Sequence, residues 1–284
     1  MLAVQSRPLD YLTFLMPQFF SLFLAPWRFR VILRQFIRRE ILGRYRGSLL
    51  GVGWAFITPL LMLAVYTFVF VGIFRARWPG AEEAGGVAFA LRLFAGLMVF
   101  NMFAEVVGRA PSMVVEQPNL VKKVSFPLEL LPFISIGSAL FHFSLSATIL
   151  LTGAMLVEQH FYPAILLLPL VVLPLLPLLL GLGWLLSALG VFVRDITPIV
   201  GLGLNLLLFL SPVFYTTASL SPQWQFWMYL NPLTPIIENC RLLVFSGGSP
   251  DWGLWCLSMG VSLVVACFGA WVFRAMREGF ADVL

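Results

Sequence analysis

Few residues in this 284-residue chain can transfer protons, hold a metal or attack a carbonyl, and their spacing narrows the chemistry further. Cys240, Cys256 and Cys267 form no CxxC pair and have no histidine cluster beside them, so neither a disulfide framework nor a zinc site is expected. His142 shares nearly one helical face with Ser135, Ser138 and Ser146, a pattern that favours helix–helix packing. A proton relay there would need acidic partners at the same depth, and the sequence makes none evident. Glu105 and Arg109 stand four residues apart and read as a satisfied pair; Glu40 and Arg44 read the same way. No Ser-His-Asp order and no metal-ligand grouping appears, so no catalytic residue is expected. GxxxxGK[ST] is missing as well, which excludes a P-loop for ATP in this chain.

What is abundant is aromatic surface, 15% of all residues. Tyr66, Phe70 and Phe74 recur at steps of four, and Phe209, Phe214 and Tyr215 cluster further on. Such a stripe serves lipid contact or packing, or it lines a passage in which flat rings stack on sugars while letting them slide. Trp78, Trp224, Trp227, Trp252 and Trp255 read instead as an interfacial belt.

These groups must be positioned by membrane helices. The chain is 60% hydrophobic and 11% charged, with mean hydropathy +0.95, against roughly 25% charged residues in a soluble domain. Its expected fold class is an all-α polytopic membrane protein. A bilayer core needs about 20 apolar residues per helix, and six stretches qualify: 49–74, 87–108, 133–157, 162–193, 196–215 and 252–273. The fourth carries Pro163, Pro169, Pro174 and Pro177 and should kink or tilt. Residues 216–251 hold two short apolar pieces broken at Asn231-Pro232 and Thr234-Pro235, which suggests a re-entrant helix pair. Residues 1–26 read as an interfacial segment, with an additional span over 9–27 as the alternative.

Charge sets the orientation. With both termini in the cytoplasm, fourteen Lys and Arg face inward, while Arg75, Arg77, Arg92 and Arg241 lie outside. From residue 27 to 47 the pattern is an amphipathic helix: Phe29, Leu33, Ile37, Ile41 and Tyr45 at steps of four, beside the ridge Arg30, Arg34 and Arg38. Arg34, Arg38, Arg39 and Arg44 would anchor it to anionic lipid or also collect the phosphate of a substrate. No nucleic-acid-binding fold surrounds this block, so nucleic acid is not an expected partner. Gly43, Gly47, Gly51 and Gly53 then allow an elbow into the first span. The loop 114–127, VVEQPNLVKKVSFP, is either an ordinary connection or a short docking helix.

In this order, REILGRYRGSLLGVGWAFITPLL, PNLVKKVSFPLELLP, GVFVRDITPIV and SPVFYTTASLSPQWQFWMYLNPLTPIIE resemble the permease subunit of type-2 ABC exporters of cell-surface polysaccharide. That family includes O-antigen, capsule and teichoic-acid exporters. The resemblance implies that residues 27–46 are a cytosolic gate helix. It implies that Asn119, Leu120, Lys122, Lys123 and Phe126 belong to a coupling helix seated in a separate ATPase subunit. Residues 221–245 would be the re-entrant pair at the outer mouth. It further implies two permease copies with two ATPase subunits, ATP and Mg on those subunits and no cofactor in this chain. A lipid-linked or lipid-terminated glycan would cross the bacterial inner membrane along Tyr66, Phe70, Phe74, Phe209, Phe214 and Tyr215. A drug or lipid exporter of the same fold is the alternative, and a membrane-embedded glycosyl- or acyltransferase a more distant one.

Overall fold

A computed structural model describes residues 22–23, 25–74, 78, 85–121 and 126–283. Those residues form helices and connecting turns, with no strand among them. Helix α1 is Arg30–Arg44, followed by α2 at Trp54–Tyr66, which continues as a π-helical turn over Thr67–Ile73. Next come α3 at Gly85–Arg109, the short α4 at Pro118–Val121, and α5 at Leu131–Glu158. The fourth hydrophobic stretch splits into α6 at Leu168–Val172 and α7 at Leu175–Phe192. Then follow α8 at Ile196–Leu210, α9 at Pro222–Tyr229, α10 at Leu233–Phe245, α11 at Trp252–Arg277 and the terminal α12 at Phe280–Val283.

Among the described residues, five helical stretches are long and apolar enough to cross a bilayer: Gly51–Ile73, Gly86–Ser112, Leu128–Glu158, Pro163–Phe192 and Trp252–Arg277. The sixth expected span, 196–215, is shorter than its apolar run. Helix α8 stops at Leu210 because Pro212 forces Ser211 out of helical geometry, to φ −98° and ψ 149°. Its 15 residues rise about 22 Å, less than a hydrocarbon core of about 30 Å. Proline also breaks the fourth stretch as expected. The amides of Leu173 and Leu176 bond three residues back, to Leu170 and Leu173, on either side of Pro174.

Helix α3 is the buried axis of the bundle, with Leu93, Ala95, Val99 and Val106 fully inaccessible. Helices α5, α7 and α10 surround it. Helix α7 meets α11 where Gly181 and Gly269 remove both side chains: a methyl on either would collide with backbone carbonyl groups of the other helix. Trp184 lies beside this seam, fully buried, and donates its indole N–H to the Glu129 carbonyl at 3.1 Å. Leu22 and Ala25 are buried in the same core, and Phe23 packs edge-on against Trp184. Most of the 1–26 segment lies outside the described residues.

Two helices lie at the rim of this core, resting mostly half-buried side chains such as Tyr66, Phe70, Leu204 and Leu207 against it. Of α2, Ala55 alone is buried, and α8 buries no residue. The glycines of α7 and α8 divide accordingly. Gly181 and Gly183 are packed, whereas Gly201 and Gly203 on α8 face open space.

Candidate functional site: an aromatic seam and a polar clasp

The π-helical turn of α2 carries Phe70 between Tyr66 and Phe74. Ring centroids are 6.4 Å apart for Tyr66–Phe70 and 5.9 Å for Phe70–Phe74. Phe70 stacks on Phe214 at 5.8 Å and 25°, and Phe214 stacks on Phe209 at 5.6 Å and 26°. Tyr215 donates its hydroxyl to the Phe209 carbonyl at 3.1 Å. All six predicted aromatic residues therefore meet in one seam between α2 and α8, the two helices that bury almost nothing. Phe74 and Phe209 are about two-thirds exposed, so the seam opens to its surroundings. Inward, Phe70 contacts buried Phe89 at 6.0 Å, which in turn meets Trp78 edge-on at 5.6 Å.

At the other end of α3 the polar groups pair across helices, correcting the expected pairs within each helix. Glu40 binds Arg109, and Arg44 binds Glu105 at 2.8 Å. The spacing Glu-x-x-x-Arg occurs on both helices, and their opposed directions match each acid to the other helix's arginine. His142 joins this clasp, contrary to the expectation that it lacked an acidic partner. Its Nδ1 lies 3.0 and 3.1 Å from the two Glu105 oxygens and 3.2 Å from Arg44 Nη1. Nε2 lies 2.9 Å from the Tyr45 hydroxyl. Burial raises the Tyr45 pKa above the ordinary tyrosine value, so its hydroxyl is protonated well beyond neutral pH. The clasp thus ties the turn after α1 to α3 and α5.

Helix α1 lies as its period required. Phe29, Leu33, Ile37, Ile41 and Tyr45 are half-buried, while Arg30, Arg34, Arg38 and Arg39 are exposed. Arg44 is exposed too, though committed to Glu105. The elbow uses two of the four expected glycines in left-handed geometry, Gly47 at φ +83° and Gly51 at φ +52°. Gly43 lies within α1, and Gly53 has an ordinary helical backbone.

Of the expected docking loop, α4 presents Asn119 to solvent and half-buries Leu120. Lys122 and Lys123 lie outside the described residues. Phe126 returns to pack its ring 5.1 Å from Phe36 of α1, and the Arg39 guanidinium lies 4.2 Å from the same Phe36 ring. The loop and the surface helix are thereby in direct contact.

One expectation is corrected at the aromatic end. Trp78 is no belt residue: it is 8% exposed and lies under the Arg241 guanidinium at 4.6 Å. Arg92 and Arg241, expected on the outer side, are buried within α3 and α10. Arg92 pairs with Glu158 at 3.0 Å, and Arg241 is bonded chiefly to backbone carbonyls. The one sequence signal for this is a lone arginine inside the apolar piece of α10. At the turn before α8, Asp195 makes no side-chain cap.

Residues 32–245 match the family described as "ABC-2 type transporter". A protein of Myxococcus xanthus named "O-antigen export system permease protein RfbA" is 30% identical over 258 residues, covering 90% of this chain and 96% of the relative. Two Klebsiella pneumoniae proteins of the same name are 23% and 22% identical over 249 residues, covering 87% of this chain and 92% of each relative.

Proposed function

Since this chain belongs to the ABC-2 type transporter family, we propose that it is the permease of an ATP-driven exporter of lipid-linked or lipid-terminated polysaccharide. The relatives named for O-antigen export match along nearly their whole length, which favours a glycan over a drug or a simple lipid as cargo. Two copies of the chain work with two separate ATPase subunits, which hold ATP and Mg. The assembly sits in the bacterial inner membrane with both termini of each copy in the cytoplasm.

The observation that carries this reading is the aromatic seam on the otherwise uncovered α2 and α8. Apolar helices left largely exposed in one copy become walls of a passage when a second copy faces them, and stacked rings offer a sugar polymer adhesion without fixed register. Tyr66, Phe70, Phe74, Phe209, Phe214 and Tyr215 form that wall. Helix α1 is the cytosolic gate, with Arg34, Arg38 and Arg39 on the headgroup side and Arg44 in the clasp. Asn119, Leu120, Lys122, Lys123 and Phe126 form the contact with the ATPase, whose motion reaches α1 through Phe126 and Phe36.

The test is removal of the gene in its native host, followed by complementation. Loss of surface polysaccharide, with lipid-linked glycan accumulating inside the cell and drug sensitivity unaltered, supports the reading. Normal surface polysaccharide would refute it.

A further inference from the structure

We infer that Arg241 is a positioning residue for polymer passage, setting where the Phe214 ring stands in the aromatic seam. The inference rests on the proposal that this seam is the glycan path. Arg241 is 5% exposed and, among the described residues, has one carboxylate nearby, Glu238, at 3.5 Å. That carboxylate also accepts the Thr217 amide at 3.0 Å. The guanidinium spends its other donors on backbone. Nη1 donates to the carbonyls of Pro212 at 2.6 Å and Tyr215 at 3.1 Å, and Nη2 donates to Val213 at 2.6 Å. Nε donates to the Arg92 carbonyl of α3 at 2.9 Å.

These three loop carbonyls belong to the irregular stretch after α8, where no helical amide follows to satisfy them. Backbone of that kind persists at membrane depth only when protein supplies the missing partners. One planar fork with five donors does so, and its rigidity fixes the carbonyls relative to one another and to α3. Phe214 lies between the residues so held, and its ring stacks on Phe70 and Phe209. The same guanidinium rests on Trp78, which contacts Phe89, which contacts Phe70. Arg241 therefore governs the seam from two sides: it fixes the loop that carries Phe214 and supports the ring behind Phe70. A lysine would keep the charge but present its donors from a single point and lose the fork.

Gly96 gives independent access to the same device. A methyl at that position would sit 2.7 Å from Arg241 Nη2 and 3.2 Å from Val213 Cα, displacing fork and loop while the arginine remains. The experiment uses the complete transporter in membranes, with Cys256 and Cys267 replaced by serine. Phe70→Cys and Phe214→Cys are introduced together, and their linkage by a short bifunctional thiol reagent is timed. A Phe36→Cys and Phe126→Cys pair serves as the control for intact assembly. Arg241→Lys and Gly96→Ala should each slow the linkage between positions 70 and 214 at least tenfold and leave the control pair at its original rate. An unaltered rate in both variants overturns the inference. Export is scored on Arg241→Lys and Gly96→Ala with Phe70 and Phe214 intact. Slowed linkage with reduced export supports both the positioning role and the path. Slowed linkage with full export upholds the positioning but overturns the seam as the path, so the two failures are distinct.

Discussion

Arg44 reaches from the surface helix to Glu105 in the central helix at 2.8 Å, while Glu40, one turn earlier, binds Arg109 one turn later. The crossed arrangement gives the amphipathic helix one seating on the bundle, because sliding it by a turn would set like charges against each other. His142 and Tyr45 add hydrogen bonds that depend on the same seating. A helix held this way has one defined seat on the bundle, and its release requires both ion pairs to part.

The clasp predicts a charge-reversal rescue. Arg44→Glu alone should cost about 1 kcal/mol of docking, given that Arg44 is 40% exposed, and should speed amide exchange across residues 30–44. Adding Glu105→Arg should restore slow exchange. The measurement is hydrogen–deuterium exchange on the purified transporter, and additive damage in the double variant would speak against the pair.

Helix α1 and the loop ending at Phe126 should be mechanically joined through one ring contact. Phe126→Ala removes an aromatic pair of about 1 kcal/mol and should leave ATP hydrolysis by the complex near its original rate while polysaccharide export falls several-fold. Retained export at full rate would show that the two elements move independently.

Leu120 is half-buried in α4 and Asn119 beside it is exposed. Leu120→Glu places a charge where a partner surface is expected. Permease levels in the membrane should stay normal, whereas co-purification of the ATPase subunit and export should both drop at least tenfold.

How much of this is legible in the sequence follows from the range of each interaction. The period of α1, the glycine elbow and the proline breaks are local, and each can be read from a few neighbouring residues. The aromatic seam is legible as two stripes because steps of four share a helix face. The clasp is not, since Glu-x-x-x-Arg has the same signature whether it closes within a helix or between two. Arg241 is least legible of all. Its partners are carbonyls, which every residue possesses, and they lie 26 to 149 positions away in the chain. Trp78 misleads for the same reason: a tryptophan at a span end suggests an interface until a buried cation is found above it.

The seam between α7 and α11 tolerates no added side chain. Gly181→Leu or Gly269→Leu should force the helices apart, costing more than the 1–3 kcal/mol typical of overpacking, and membrane levels of the protein should fall sharply. Immunoblotting of membranes against a Gly201→Leu control, on the open face of α8, isolates the packing effect.

The most direct measurement is ATP-driven delivery of lipid-linked glycan to the far leaflet of vesicles containing the permease and its ATPase. Comparing the original chain with a Phe70→Ala, Phe214→Ala double variant tests the aromatic seam as the path. The account predicts robust ATP-dependent delivery by the original chain. It predicts at least a tenfold loss in the double variant with ATP hydrolysis retained. Delivery by the double variant at the original rate would contradict it.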